Sequence, residues 1–176
     1  ETTHNVKIGH IENLNFDLLD DLSKEKIDEL SFKISKLGIS IKNIKVPEFE
    51  EINELISIYG SLVNYEAWKF WKEKIKNNLH ILDSNVADRF LIGKSMKVES
   101  VNFLKKKIFE IKKKVSNKLE EYDFFIMPTL SLAPPTLSSL RNKKNYHYFN
   151  NLVLNNTRGA NIFDLCVISL PLLFDK

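Results

Sequence analysis

The stretch Tyr122-Asp123-Phe124-Phe125-Ile126-Met127-Pro128-Thr129-Leu130-Ser131-Leu132-Ala133-Pro134-Pro135 decides the fold. Phe124, Phe125, Ile126 and Met127 run without a charge, and three prolines follow within nine residues of Met127. A short apolar run closed by prolines reads as a strand buried on both faces, as in the middle of a parallel or mixed sheet. The residues behind it form a loop at the strand's carboxyl end. In open α/β sheets that rim is where ligands usually bind.

Outward from this strand, the pattern alternates between helix and strand. Immediately upstream, Val101, Leu104, Ile108, Ile111, Val115 and Leu119 form an apolar stripe that predicts a helix over 98–119. At the start of the chain, residues 6–11 alternate and read as a strand. Leu22-Ser23 then opens a helix, with Ser23 as its cap and Leu22 stapled to Ile27. Gly38 stands where that helix ends with a positive φ. Residues 39–46 alternate with period two until Pro47 stops them. Strand, helix, strand predicts a parallel pair with a crossover between. Residues 48–74 read as one long helix whose apolar face includes Ile52, Tyr59, Val63, Phe70 and Trp71. Core packing accounts for that face more simply than an aromatic ligand box. A short helix over 84–92 follows, capped by Asp83 or Ser84 and stopped by Gly93. Downstream of the organising strand, residues 137–148 are polar and read as a surface loop. Residues 150–157 allow one or two helical turns. Leu165-Cys166-Val167-Ile168-Ser169-Leu170 is a second near-continuous apolar strand, closed by Pro171. The fold class is therefore α/β, a mixed, largely parallel sheet flanked by helices, in one domain over 1–176.

Composition narrows the function classes. Apolar residues make up 43% and charged residues 28%, ordinary for a soluble globular domain. No run approaches the roughly 20 apolar residues of a membrane-spanning helix. One cysteine, Cys166, excludes an internal disulfide, suits a reducing cytoplasm and reads as inert core. Lys105-Lys106-Lys107 and Lys112-Lys113-Lys114 recur on one helix side, but a net charge of +3 and the lack of interleaved aromatics favour a solvated face over an RNA surface. His4, His10, His80 and His147 are scattered without metal spacing, and no Gly-rich phosphate loop or G-x-S-x-G elbow occurs. No cofactor or metal is expected.

Two blocks in order carry a resemblance. The first is Tyr122-Asp123, an apolar strand, Pro128-Thr129 and Ala133-Pro134. The second is Asn156-Thr157-Arg158-Gly159-Ala160-Asn161, then Ile168-Ser169-Leu170-Pro171. Together they resemble the C-terminal half of the amidase signature family. Tyr65-Glu66-Ala67 and Arg89-Phe90-Leu91-Ile92-Gly93 fit upstream, so the likeness covers nearly the whole chain. The resemblance implies hydrolysis of amides, or transfer of the ammonia released, by a serine nucleophile, a second serine in a cis peptide and a lysine base. In the family those groups lie upstream of the part matched here. No Gly-Ser-Ser-Gly-like segment exists in this chain, and Ser138-Ser139 stands in the wrong block. No catalytic residue is carried over, since acyl transfer needs an activated hydroxyl and an oxyanion site. Where many members have Gly and then Pro after the second Asn, this chain has Asp164 and Cys166.

The expectation is thus an incomplete, C-terminal portion of the amidase signature fold. It contributes sheet core and a pocket loop, with Pro128 and Thr129 as pocket residues and Asn161 fixing backbone nearby. Its expected partners are the missing N-terminal catalytic portion, in the same protein or a partner chain, and a small amide substrate. The competing expectation is a non-catalytic, degenerate or split module that binds a partner chain.

Overall fold

In the computed structural model, which describes residues 6–14 and 18–172, three strands lie parallel in the order β2-β1-β3. They are β1 (Lys7–Ile11), β2 (Ser40–Ile44) and β3 (Phe124–Ile126). Ile8 pairs with Ile41 on one side and Phe124 on the other. The parallel α/β reading holds. Asp123 sets the register of β3. Its Oδ2 accepts from the backbone N of Lys7 at 2.8 Å, and its own N donates to the Lys7 carbonyl at 2.9 Å. The organising strand differs from expectation in one respect: it is an edge, not a middle strand. Phe124 is 61% exposed. An apolar run without alternation predicts burial on both faces, but β3 has a neighbour on one side alone among the described residues.

The chain forms two compact units, Glu1–Glu50 with Lys112–Lys176, and Glu51–Ile111. In the first unit, α1 (Asp21–Lys36) follows β1. Its cap is Asp20 rather than Ser23. Asp20 accepts from Ser23 N at 2.8 Å and from Ser23 Oγ at 2.9 Å. A carboxylate is favoured there because the free N–H groups and helix dipole attract negative charge. Leu22 is exposed, so no staple to Ile27 forms. Gly38 does take a positive φ of 78°. Ile8, Ile11, Ile27, Val46 and Phe49 are buried in this unit. So is Glu48, whose carboxylate accepts from Lys118 Nζ at 2.8 Å.

The long helix expected over 48–74 is two helices, α2 (Glu48–Tyr59) and α3 (Leu62–Ile75). Gly60 between them has φ 87°, which a right-handed helix cannot contain. The break turns the face after it away from the predicted core: Phe70 is 77% exposed and Val63 is also exposed. In the second unit α3 packs on α4 (Ser84–Ser95). Asp83 caps α4, accepting from Asn85 N at 2.9 Å. Gly93 does not stop that helix. It lies buried inside it, where a Cβ would stand 2.0 Å from the backbone oxygen of Asn64.

The helix α5 (Val98–Leu119) has the predicted bounds, with Val101, Leu104, Ile111 and Val115 buried. Its lysines meet acids: Lys105 pairs with Glu66, Lys107 with Glu110, Lys112 with Asp164 and Lys118 with Glu48. The last helix, α6 (Lys143–Ile162), is 20 residues long; it contains the turns expected over 150–157 and replaces half of the predicted loop. Asn142 starts it by accepting from Lys144 N at 2.9 Å. The expected second apolar strand is absent: residues 165–172 form no strand, and Cys166 is exposed rather than core. A strand needs a neighbour for its backbone groups, and none of the three strands pairs with this run.

Candidate functional site

β3 ends at Ile126, and the chain turns at Pro128, which lacks the N–H needed to extend the ladder. The turn is held from below. Asn156, in the middle of α6, is fully buried, and its Nδ2 donates to the Pro128 carbonyl at 2.9 Å. Its Oδ1 accepts from Ser131 Oγ at 3.2 Å, and Ser131 is equally buried. One side chain therefore grips the turn at both ends. A buried amide left without such partners would cost about 1–3 kcal/mol, so the arrangement is self-enforcing.

Thr129 lies between the two gripped residues and points outward. Its Oγ1 stands 2.9 Å from Ser169 Oγ, in the exposed run that follows α6. Either hydroxyl can be the donor, which leaves donor and acceptor capacity at the surface. Behind this pair, α6 is fixed to the body of the same unit. Gly159 allows the ring of Phe49 to lie against it, since a Cβ there would stand 2.3 Å from Phe49 Cδ1. Phe163 meets Phe49 edge to face, with centroids 5.3 Å apart. Asp164 then turns the chain with φ 55° and pairs with Lys112.

An apolar groove of about 360 Å³ opens beside the loop. Leu130, Pro134 and Pro135 line it from the loop, and Tyr146, Phe149 and Val153 from α6. A larger depression of about 880 Å³ lies at the amino ends of the strands, around Lys7, Ser40 and Asp123. The loop after β3 lies at the opposite strand ends. The larger hollow is lined by residues that start the ladder, so its chemistry is that of sheet construction. The smaller groove adjoins the held turn and is the better candidate site.

The predicted site residues divide. Pro128 and Thr129 sit in the turn, Pro128 buried and Thr129 exposed. Asn161 is exposed in the last turn of α6, and the contact to the loop backbone expected of it is made by Asn156 instead. A signal for Asn156 did exist. Phe149, Val153, Asn156, Ala160 and Phe163 follow alternating spacings of four and three, one face of a helix with an amide set among apolar residues. One or two turns over 150–157 are too short to show that face, which runs from Phe149 to Phe163. Ser138 and Ser139 serve a local turn: Ser139 Oγ donates to the Thr136 carbonyl at 2.7 Å, and Ser138 Oγ lies 3.0 Å from Thr136 Oγ1. Burial pushes the Arg158 guanidinium, on α6, below its usual value, and its Nη2 donates to Asn151 Oδ1 at 3.4 Å. Among the described residues no cluster of three metal-ligating side chains occurs.

Comparison with known proteins identifies a family and a shared fold. The family model described as Amidase matches residues 1–176. A 2-amino-5-chloromuconic acid deaminase of Comamonas testosteroni is 21% identical over 172 residues, covering 97% of this chain and 37% of that protein. The chain thus spans little more than a third of the curated relative's length. Among solved structures, an amidase is similar with a TM-score of 0.69 at 15% identity, covering 88% of this chain and 37% of its own. An allophanate hydrolase variant of Kluyveromyces lactis reaches 0.70 at 16% identity, covering 92% and 26%. One polypeptide of the glutamyl-tRNA(Gln) amidotransferase of Thermotoga maritima reaches 0.54 at 14% identity, covering 92% and 34%. At these identities the structures share the fold.

Proposed function

The chain belongs to the amidase family, and from that premise we propose that it is the C-terminal part of an enzyme hydrolysing the carbon–nitrogen bond of a small amide. The observation that carries this reading is the turn at the carboxyl end of β3, gripped at both ends by Asn156 and presenting Thr129 beside an apolar groove. The names of the similar proteins, a deaminase, an amidase and an amidotransferase, support a nitrogen-bearing substrate.

In this reading the chain binds and orients. The groove takes an apolar part of the substrate, and burial of that part supplies roughly 25 cal/mol per Å². The Thr129 hydroxyl donates to or accepts from the amide, fixing its plane. Pro128 locks the turn, and Asn161 remains a candidate amide on the segment leading to Ser169. The activated serine and its base come from polypeptide outside this chain, in the same protein or a partner, and the assembly is cytoplasmic. A static turn suits the task, because orienting a bound amide lowers the entropy cost of attack.

The test uses the chain alone and the chain joined to the polypeptide that natively precedes it. Hydrolysis of small aryl amides, read as released aniline, is expected from the longer protein, and a serine-reactive fluorophosphonate should label it and not residues 1–176. Turnover by residues 1–176 alone overturns the assignment of the nucleophile to another segment. A second reading, a non-catalytic module that binds a partner chain, draws support from the exposed Ile168 and Leu170 in the run after α6. Tight association of the two parts without amide turnover would favour it.

A further inference from the structure

We propose that Asn156 is a positioning residue, which sets the place of the Thr129 hydroxyl opposite Ser169. The inference rests on the reading of the 128–135 loop as a pocket loop, and it says what the grip by Asn156 does for the exposed hydroxyl. Three observations carry it. Asn156 is fully buried in the interior of a helix, a position where an amide costs free energy unless its groups are matched. Both ends of the amide are matched, one by the Pro128 carbonyl and the other by the Ser131 hydroxyl. These two residues flank Thr129 and Leu130, so the amide fixes both ends of the segment that carries the exposed hydroxyl.

The geometry also explains why the partner hydroxyl comes from residue 169. Asn156 and Ser169 both depend on α6: the first stands on it, the second hangs from its end after the Asp164 turn. Gripping the loop to α6 therefore references Thr129 to the same body that places Ser169. The apolar contact along the groove also ties the loop to α6, but such contact does not fix the direction of a hydroxyl. Volume alone does not account for the choice of residue. A leucine has the branched outline of asparagine, though more bulk, and would leave the Pro128 carbonyl buried without its donor.

The test reads the Thr129–Ser169 distance directly. In a Cys166→Ser background, Thr129→Cys with Ser169→Cys places two sulfurs where oxygens stand 2.9 Å apart, close enough to bridge after a small adjustment. Mild oxidation should form that disulfide rapidly. Adding Asn156→Ala should slow it by about tenfold, the effect of losing an interaction near 1.4 kcal/mol. Phe163→Leu, which weakens the contact with Phe49 and lowers the melting temperature without touching the turn, should leave the rate unchanged. Equal crosslinking with and without Asn156→Ala overturns the inference. If Asn156→Ala does not fold, two measurements remain. Ser131→Ala should slow crosslinking by about threefold, since it removes the longer of the two bonds. In the unaltered protein, the Asn156 side-chain amide protons should exchange far more slowly than those of exposed Asn161. Matching exchange rates overturn the inference. Loss of crosslinking with no effect of Asn156→Ala on the KM of the longer enzyme would leave the positioning role standing and sink the pocket-loop reading.

Discussion

At the residue scale, two aspartates show how local chemistry departs from side-chain statistics. Asp164 holds φ 55°, the left-handed region, at the place where the resemblance led one to expect glycine. Its carboxylate pairs with Lys112, but the pair is largely exposed and contributes little. The backbone term is then the larger one. Asp164→Gly and Asp164→Ala both lose the pair, so their difference isolates the cost of a Cβ in this region. The glycine variant should be the more stable by about 1 kcal/mol in urea unfolding, the reverse of the ordinary preference. Asp20 offers a pH prediction. The Ser23 backbone N–H and then its hydroxyl hold the Asp20 carboxyl below its usual value. A carboxyl depressed in the folded state contributes stability that is present above its unfolded value and is lost as pH falls through the folded one. Asp20→Ser keeps an oxygen acceptor at the cap but cannot titrate. The stability difference between the native chain and this variant should therefore shrink as pH drops from about 5 toward about 2. A constant difference across that range would remove the capping assignment.

At the element scale, what the sequence disclosed depended on which signal each element carried. The helix α5 was legible to the residue because Val101, Leu104, Ile111 and Val115 keep a strict stripe through a lysine-rich surface. The parallel pair β1 and β2 was legible because alternation, a helix and Gly38 stand in order. Glycine was the least legible residue, since one letter serves different ends. Gly60 breaks a helix by taking φ 87°, whereas Gly93 continues one and serves contact. Nothing local distinguishes them; the difference lies in what packs against each. The first turns of α6 are too polar to show a period, so the helical turns read over 150–157 held while the start of the helix at Lys143 stayed hidden. Gly93 gives a prediction with a contested sign. Alanine gains about 1 kcal/mol over glycine in a helix interior. Here its Cβ would stand 2.0 Å from the Asn64 backbone oxygen, which cannot rotate away as a side chain could. Separating α3 from α4 costs about 1–3 kcal/mol or more, so Gly93→Ala should destabilise the chain in denaturant unfolding. A stabilised variant would mean that the two helices do not approach so closely.

At the scale of the whole molecule, the described surface carries apolar groups that folding does not cover. Ile168 is 84% and Leu170 73% exposed in the run after α6. Phe124 stands exposed on β3, whose outer side has no partner among the described residues. Scattered exposed apolar residues are ordinary, but an apolar run together with an unpaired strand edge invites pairing with another chain. A net charge of +3 on 176 residues opposes such contact only weakly. No helix among the described residues is long and apolar enough to cross a membrane, so a bilayer-spanning helix among them does not account for these groups. Residues 1–176 by themselves should therefore associate as concentration rises, and should bind an apolar dye. Ile168→Lys with Leu170→Lys should shift the sedimentation profile toward the monomer and lower dye binding. Both side chains are already solvated, so unfolding stability should change by no more than about 0.5 kcal/mol. The proposed function adds a condition. When the native upstream polypeptide is present, dye binding should fall without these substitutions, because the rest of the fold covers the same groups. A monomer that binds no dye at tens of micromolar would show that the run finds cover within the chain itself, and would weaken the case for a missing neighbour.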